Sequence, residues 1–387
     1  MKATINSKEL LVTLNYMSTV LPKSTKNSSL IQDFWIDCRD NRMKIVASNV
    51  DITIVKYCRC DVIEEGTICV DGRNLISKLG KIKEQVSIET DERFATFKAN
   101  NVAFKLELDE TEMFPIPNQP ENHIEPLKIR EETMKCVFSK LYKCMSTDKD
   151  RAVLMTICMK VEKDKYVFAA TDGRKAGQIV VDKPGLIDFT GEILIQNTVV
   201  DTILKNTTNE YLAEIDIIPT EHYIYYEFMN GTQVIAHKLE WKYPNYQYIF
   251  ENQADAKSIG LSKKQLIETL NTCLLATDKK LPKVTMSISN KKVIKLESSI
   301  YDREYNSGLD VSFESELTAK AELTCTENSF NTSGKITFNS IYMLELLESV
   351  DGREIKISTY ADKIGKDVLY LTGTNKDERY LLMPLRS

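Results

Sequence analysis

The chain repeats itself three times, and this limits the folds open to it more than any other feature. Three amphipathic segments correspond: INSKELLVTLNYM from Ile5, IREETMKCVFSKL from Ile129 and LSKKQLIETLNTC from Leu261. In this register Leu10 meets Met134 and Leu266, Leu14 meets Phe138 and Leu270, and Met17 meets Leu141 and Cys273. Spacings of four and then three mark one face of a helix. Ser7 and Ser262 are read as its N-caps in the first and third copies. A second signal repeats as GTICVDGRNLISKL from Gly66, GEILIQNTVVDTIL from Gly191 and GKITFNSIYMLELL from Gly334. Ile68, Ile193 and Ile336 coincide, as do Val70, Ile195 and Phe338, on one face of an alternating strand. Leu75, Val200 and Met343 then align, followed by Leu79, Leu204 and Leu347, four apart on a helix.

The two signals keep their order, separated by 61, 62 and 73 residues. The third copy therefore holds about eleven extra residues, placed in the polar 300–333 region. Alternating segments such as MKIVASNVDITIVKYCRC, VSIETDERFATFKANNVAFKLEL and KYVFAATDGRKAGQIVV read as antiparallel strands. The expected class is α+β: three copies of roughly 125 residues, each with two helices and two small antiparallel sheets. Proline-rich punctuation at 113–126 and the stretch 243–258 mark short linkers. The expected domains are 1–125, 126–252 and 253–387.

The 387 residues are 42% hydrophobic and 28% charged, the balance of a folded globular chain. No run of eighteen apolar residues predicts a membrane span, and the opening MKATINSKELL lacks the apolar core of a signal peptide. A cytoplasmic location is expected. The nine cysteines are scattered and read as reduced, mostly buried thiols. The net charge of −5 announces no nucleic-acid partner, but two stretches are locally basic. One carries Arg73, Lys78, Lys81 and Lys83, the other Lys263, Lys264, Lys279, Lys280 and Lys283. They are either a positive field confined to one surface or ordinary solvated helix faces.

No catalytic constellation stands out. The histidines, His123, His222 and His237, sit in no metal-binding motif, and neither a P-loop, GxSxG nor GxGxxG occurs. No metal, cofactor or catalytic residue is expected. The compact ATDGRK cluster (170–175) reads as a hairpin turn or as an active-site loop with Asp172 as base. Threefold repetition of a plain α/β unit suits a ring or an arc better than a single catalytic centre, so the chain is not expected to be an enzyme.

The three copies, the AATDGRK hairpin, FPIPN, WKYPNYQYI and the terminal YLLMPLRS together resemble the bacterial DNA polymerase III beta subunit, the sliding clamp, over essentially the whole chain. Tyr380 to Arg386 follow the family's terminal pattern. The resemblance implies a head-to-tail homodimeric ring of six domains, with helices lining a hole for double-stranded DNA and sheets forming the outer wall. It implies a processivity factor that tethers the DNA polymerase, has a clamp loader and other clamp-binding-motif proteins as further partners, and needs no membrane.

For DNA the resemblance and the charge pattern nominate Lys23, Lys26, Arg73, Lys78, Lys140, Lys143, Lys149, Arg151, Lys263, Lys264, Lys279 and Lys280. Ala152 and Val153 stand where the family often has DNA-touching aromatics. For a partner-peptide groove the resemblance implies Leu154, Thr171, Gly173, Arg174, Lys175, Ala176, Pro244, Tyr248, Ile249, Leu381, Leu382, Met383, Pro384, Leu385 and Arg386. Arg174, Lys175, Ala176 and Tyr248 depart from the family pattern, which implies a shifted peptide preference. For ring closure it implies Phe104, Lys105 and Glu107 on an edge strand, meeting Leu275 and Ala276. The alternative is a clamp-fold peptide-binding scaffold that no longer supports processive replication.

Overall fold

The computed structural model describes residues 1–22, 30–49, 51–82, 84–120, 124–185, 189–206, 212–251, 256–305, 312–360 and 364–385. The first run of elements is β1 (Lys2–Asn6), α1 (Ser7–Met17), β2 (Asp33–Arg39), β3 (Arg42–Ser48), β4 (Ile52–Arg59), the short β5 (Asp61–Glu64), β6 (Gly66–Asp71), α2 (Gly72–Leu79), β7 (Gln85–Thr90), β8 (Phe94–Ala99) and β9 (Val102–Glu107). The second is β10 (Leu127–Arg130), α3 (Glu131–Leu141), β11 (Thr156–Val161), β12 (Lys165–Thr171), β13 (Lys175–Asp182), β14 (Gly191–Gln196), α4 (Asn197–Lys205), β15 (Glu214–Pro219), β16 (Tyr223–Phe228) and β17 (Gln233–His237). A short helix α5 (Gln247–Glu251) precedes the third. That run is β18 (Lys257–Ser262), α6 (Lys263–Leu274), β19 (Lys283–Ile288), β20 (Val293–Tyr305), β21 (Ser312–Thr324), the two-residue β22 (Glu327–Asn328), β23 (Gly334–Asn339), α7 (Ser340–Ser349), β24 (Glu354–Thr359), β25 (Leu369–Thr372) and β26 (Glu378–Leu382). Short β5 and β22 aside, the order is the same each time: strand, helix, four strands, helix, three strands.

The residues that align between copies are the ones the fold buries. All nine positions of the first helical signal are closed to solvent, and so are those of the second, with Leu204 alone half-exposed. The eleven extra residues of the third copy lengthen one hairpin. β20 and β21 have 13 residues each, where their counterparts β12 and β13 have 7 and 8. One cap differs from expectation. Asn6, not Ser7, caps α1, accepting the N–H groups of Lys8 and Glu9, while Ser7 is buried and its hydroxyl donates to Ile82 O. Ser262 caps α6 as expected, through Gln265 N–H.

The chain forms two compact units, residues 1–135, 183–188 and 195–240 in one, residues 136–182, 189–194 and 241–387 in the other. The first unit contains a five-stranded sheet, β5-β1-β7-β8-β9, and an eight-stranded sheet, β10-β15-β16-β17-β4-β3-β2-β6. The second contains a nine-stranded sheet, β14-β11-β12-β13-β26-β25-β24-β18-β22, and a four-stranded sheet, β21-β20-β19-β23. The sheets are not confined to single copies. Antiparallel pairs β17–β4 and β13–β26 make one sheet from strands of two successive copies.

In the first unit the first proline-rich linker is a cover, not a tether. Its Phe114 is buried with Val46, Val55, Tyr225 and Ile235, and Ile116 and Ile124 pack against them. Tyr225 Oη donates to Asn118 O at 2.5 Å, tying the linker to the sheet. The nine cysteines are all free thiols, eight of them buried. Among the described residues no helix is long and apolar enough to cross a membrane, and no group of three His, Cys, Asp or Glu is placed to hold a metal ion.

Candidate functional site

The second unit gathers the described groove candidates around one joint, the antiparallel pair β13–β26. Lys175 faces Leu382 and Ala176 faces Leu381 across it, and Met383 N–H continues the ladder to Arg174 O at 2.8 Å. The ladder comes this close because residue 177 is glycine. A Cβ there would lie 2.8 Å from Leu141 Cδ2 and 3.1 Å from the Tyr380 ring.

The hairpin between β12 and β13 is a turn held by its own side chains. Asp172 Oδ1 accepts the N–H groups of Arg174 (2.7 Å) and Lys175 (2.8 Å), and Gly173 takes φ +84°. Aspartate and glycine favour this geometry because one supplies local acceptors and the other has no Cβ to clash. The Asp172 carboxylate is thus engaged by the turn, which is the hairpin reading rather than the catalytic one. Thr171 Oγ donates to Lys175 O at 2.8 Å, and Thr171 N–H donates to the Tyr243 hydroxyl at 3.1 Å. Burial pushes the Tyr243 hydroxyl pKa up and keeps it neutral.

Exposed apolar groups lie along this frame. Tyr248 is 70% exposed, Met383 44% and Ile249 38%. Tyr370 Oη holds Ile249 O at 3.1 Å. Leu154, Ala176, Leu381 and Leu382 are buried beneath, Pro244 is exposed, and Pro384 and Leu385 are half-buried. Arg386 lies outside the described residues.

Two groups in this region were not legible as site residues. Tyr342 and Glu345, three apart on one face of α7, receive the hairpin's basic side chains. Arg174 Nη1 donates to Tyr342 Oη at 2.9 Å, while Lys175 pairs with Glu345 and sits 5.0 Å over the Tyr342 ring. Lys175 is buried, so its charge is matched inside the protein rather than offered to a ligand.

The basic candidates divide by what holds them. In the first unit Arg73 is exposed, with Nη2 donating to Pro22 O at 2.6 Å. Lys78 turns to the edge strand β9, donating to Lys105 O at 3.3 Å and lying 5.8 Å from the Phe104 ring. In the second unit Lys149, Arg151, Lys264, Lys279 and Lys280 are exposed. Arg151 donates to Asp172 O at 3.2 Å. Lys143 pairs with Glu348, and Lys263 donates to Val350 O at 2.6 Å at the far side of its helix start. Lys140 corrects the DNA-facing expectation. It is buried, 2.5 Å from Asp351 and 2.6 Å from Glu378, because its α3 face packs inward beside β26. Lys23 and Lys26 lie outside the described residues.

Of the interface candidates, Phe104, Lys105 and Glu107 lie on β9, an edge of the five-stranded sheet. Phe104 stacks on Phe97 with centroids 4.9 Å apart, Lys105 lies over the Phe94 ring, and Glu107 pairs with Arg93 at 2.9 Å. In the second unit Leu275, the C-cap of α6, is 77% exposed. Its neighbour Ala276 is only 2% exposed, which removes it from any surface and corrects that expectation.

No protein-family model matches the chain. Curated relatives do. It is 23% identical over 294 residues to the beta sliding clamp of Chlamydia muridarum, covering 75% of this chain and 78% of that one. It is 21% identical over 390 residues to the beta sliding clamp of Staphylococcus epidermidis, covering 96% and 95%. Among solved structures, the DNA polymerase III subunit beta from Pseudomonas aeruginosa superposes with a TM-score of 0.87 at 16% identity, covering 100% of both chains. The DNA polymerase sliding clamp from Bacillus subtilis gives 0.88 at 18% identity, covering 100% and 99%. The chain has their fold.

Proposed function

We propose that this chain is a DNA sliding clamp. Two copies join head to tail into a ring around duplex DNA, and a groove on each holds the peptide motifs of a DNA polymerase, a clamp loader and other partners. The pattern of sheet joints carries this reading. The last strand of one copy pairs with the third middle strand of the copy before it, β17 with β4 and β26 with β13. Only β9, the last strand of the first copy, and β21, the third middle strand of the third, lack that neighbour among the described residues. A second chain supplies it. Pairing β9 of one chain with β21 of the other, twice, closes a ring and removes two exposed edges from each chain. Leu275 belongs near that joint, since α6 packs on β21.

In this reading the clamp domains are 1–125, 126–252 and 253–387. A closed ring holds DNA topologically, so it needs only a mildly positive inner face opposite phosphate and no base contacts. Arg73, Lys149, Arg151, Lys264, Lys279 and Lys280 supply it, and the chain can remain acidic overall. The groove around Tyr248, Ile249 and Met383 takes apolar peptide anchors, the kind of contact that dominates such interfaces. The protein performs no catalysis of its own.

The test is loading by a clamp loader onto nicked circular DNA, followed by linearisation. A sliding ring stays on the circle and runs off the free ends. Equal retention on both, or on neither, returns the chain to the alternative of a clamp-fold peptide-binding scaffold.

A further inference from the structure

The tail that walls the groove has a second side. Leu385 donates its N–H to Thr337 O at 2.7 Å and so lies on β23, the edge of the four-stranded sheet. There it lines a separate cleft of about 630 Å³. The floor of that cleft is the polar face of the sheet. Strand alternation sends Val284, Met286, Ile336 and Phe338 into the core and turns Lys283, Thr285, Lys335 and Thr337 outward. Thr285 and Thr337 sit opposite each other, their hydroxyls 2.9 Å apart. The lining holds one carboxylate, Glu297, and it faces Lys320 at 3.9 Å. On the same face Lys295 is matched by Glu322 at 2.7 Å. Lys283 and Lys335 have no ion-pair partner among the described residues. A concave, hydroxyl-floored site with two unmatched ammonium groups has the chemistry to take carboxylates.

We propose that this cleft is an acidic-residue subsite that extends the peptide groove, receiving Asp or Glu side chains flanking the apolar motif of a partner. The proposal rests on the groove reading above. Continuity of the tail supports it. Met383 is anchored to Arg174 on the groove side, and Leu385, two residues on, is anchored to Thr337 at the cleft. An extended peptide crosses that distance in about two or three residues at ~3.4 Å each. Both ammonium groups are solvent-exposed, so the gain is modest and salt-sensitive, about three- to tenfold in affinity at low salt.

The experiment uses the full-length protein and fluorescein-labelled peptides read by anisotropy. One peptide carries two leucines and a phenylalanine. Others add a Gly-Ser spacer and three glutamates, or three glutamines, on either side. Expected is about threefold to tenfold tighter binding for one glutamate-flanked peptide over its glutamine twin. The advantage is lost in Lys283→Glu/Lys335→Glu and in 0.5 M salt, while the unflanked peptide binds both proteins equally. Equal affinity of the glutamate and glutamine peptides overturns the subsite, and so does an advantage that survives the double substitution. If no peptide binds the unaltered protein, the groove reading itself falls and the extension falls with it.

Discussion

The Lys140 ammonium lies 2.6 Å from the Glu378 carboxylate, and both side chains are closed to solvent. Burial pulls the lysine pKa down, but the bonds to Asp351 and Glu378 outweigh it and leave it raised. Tyr380 Oη also reaches Glu378, at 3.3 Å. Removing the lysine strands a buried carboxylate. Lys140→Ala should cost about 3–5 kcal/mol in urea unfolding, whereas Glu378→Gln with Lys140→Met should recover much of it. A loss below about 1 kcal/mol for Lys140→Ala would show the pair to be solvated. Because the charge is internal, neither change should alter the salt dependence of DNA retention.

The tail divides at Leu382. Leu381 and Leu382 are buried strand residues of β26, whereas Met383 is half-exposed. Deleting residues 383–387 should abolish binding of an apolar partner peptide and leave thermal unfolding within a few degrees of the full chain. Deleting 382–387 should destabilise as well, since it empties a site paired with Lys175. Anisotropy and calorimetry on the two truncations separate these effects. Normal peptide binding by the shorter deletion would place the groove elsewhere.

Gly173 holds the hairpin at φ +84°, and a Cβ there would meet Arg151 Nη1 at 3.1 Å. Gly173→Ala should cost about 1–2 kcal/mol from the left-handed backbone alone. It should also weaken peptide binding by displacing the Asp172 turn. Denaturant midpoints and peptide titrations read the two consequences independently.

Asp33 makes the first unit pH-sensitive. Burial, with the carboxylates of Asp109 and Asp71 adding to it, lifts its pKa to about 7, although the Cys69 thiol donates to it. An unfolded aspartate titrates near ~3.9. Between about pH 4 and pH 7 the native state keeps a proton that the unfolded chain has lost. Stability is therefore full below that window, falls as pH rises through it and levels off above. Urea unfolding should show about 2–3 kcal/mol less stability at pH 8 than at pH 5. Asp33→Asn should flatten the difference, and an unchanged slope in that variant would assign the effect to another group.

In the proposed ring, β9 brings half-buried Phe104 and α6 brings exposed Leu275 to the joint with β21. Phe104→Glu with Leu275→Glu sets like charges against each other across that joint and should shift sedimentation from dimer to monomer while circular dichroism stays unchanged. A dimer that persists at micromolar concentration would require a different joint.

What the sequence determined by itself is what depends on local periodicity. The spacing of Leu10, Leu14 and Met17 and its two echoes specifies the helices, the alternation at Ile68 and Val70 specifies the strands, and Asp172-Gly173 specifies the turn. These patterns are fixed by backbone geometry within a few residues, so they are readable without a neighbour. The tertiary structure decided what depends on residues distant in the chain. It placed Lys140 against Glu378, 238 positions away, and turned a nominal DNA contact into an internal ion pair. It set Tyr342 and Glu345 against the hairpin, and it fused strands of successive copies into common sheets. A lysine reads the same in sequence whether it meets solvent or a buried carboxylate. Only the fold determines the dielectric and the partner that give its charge a role.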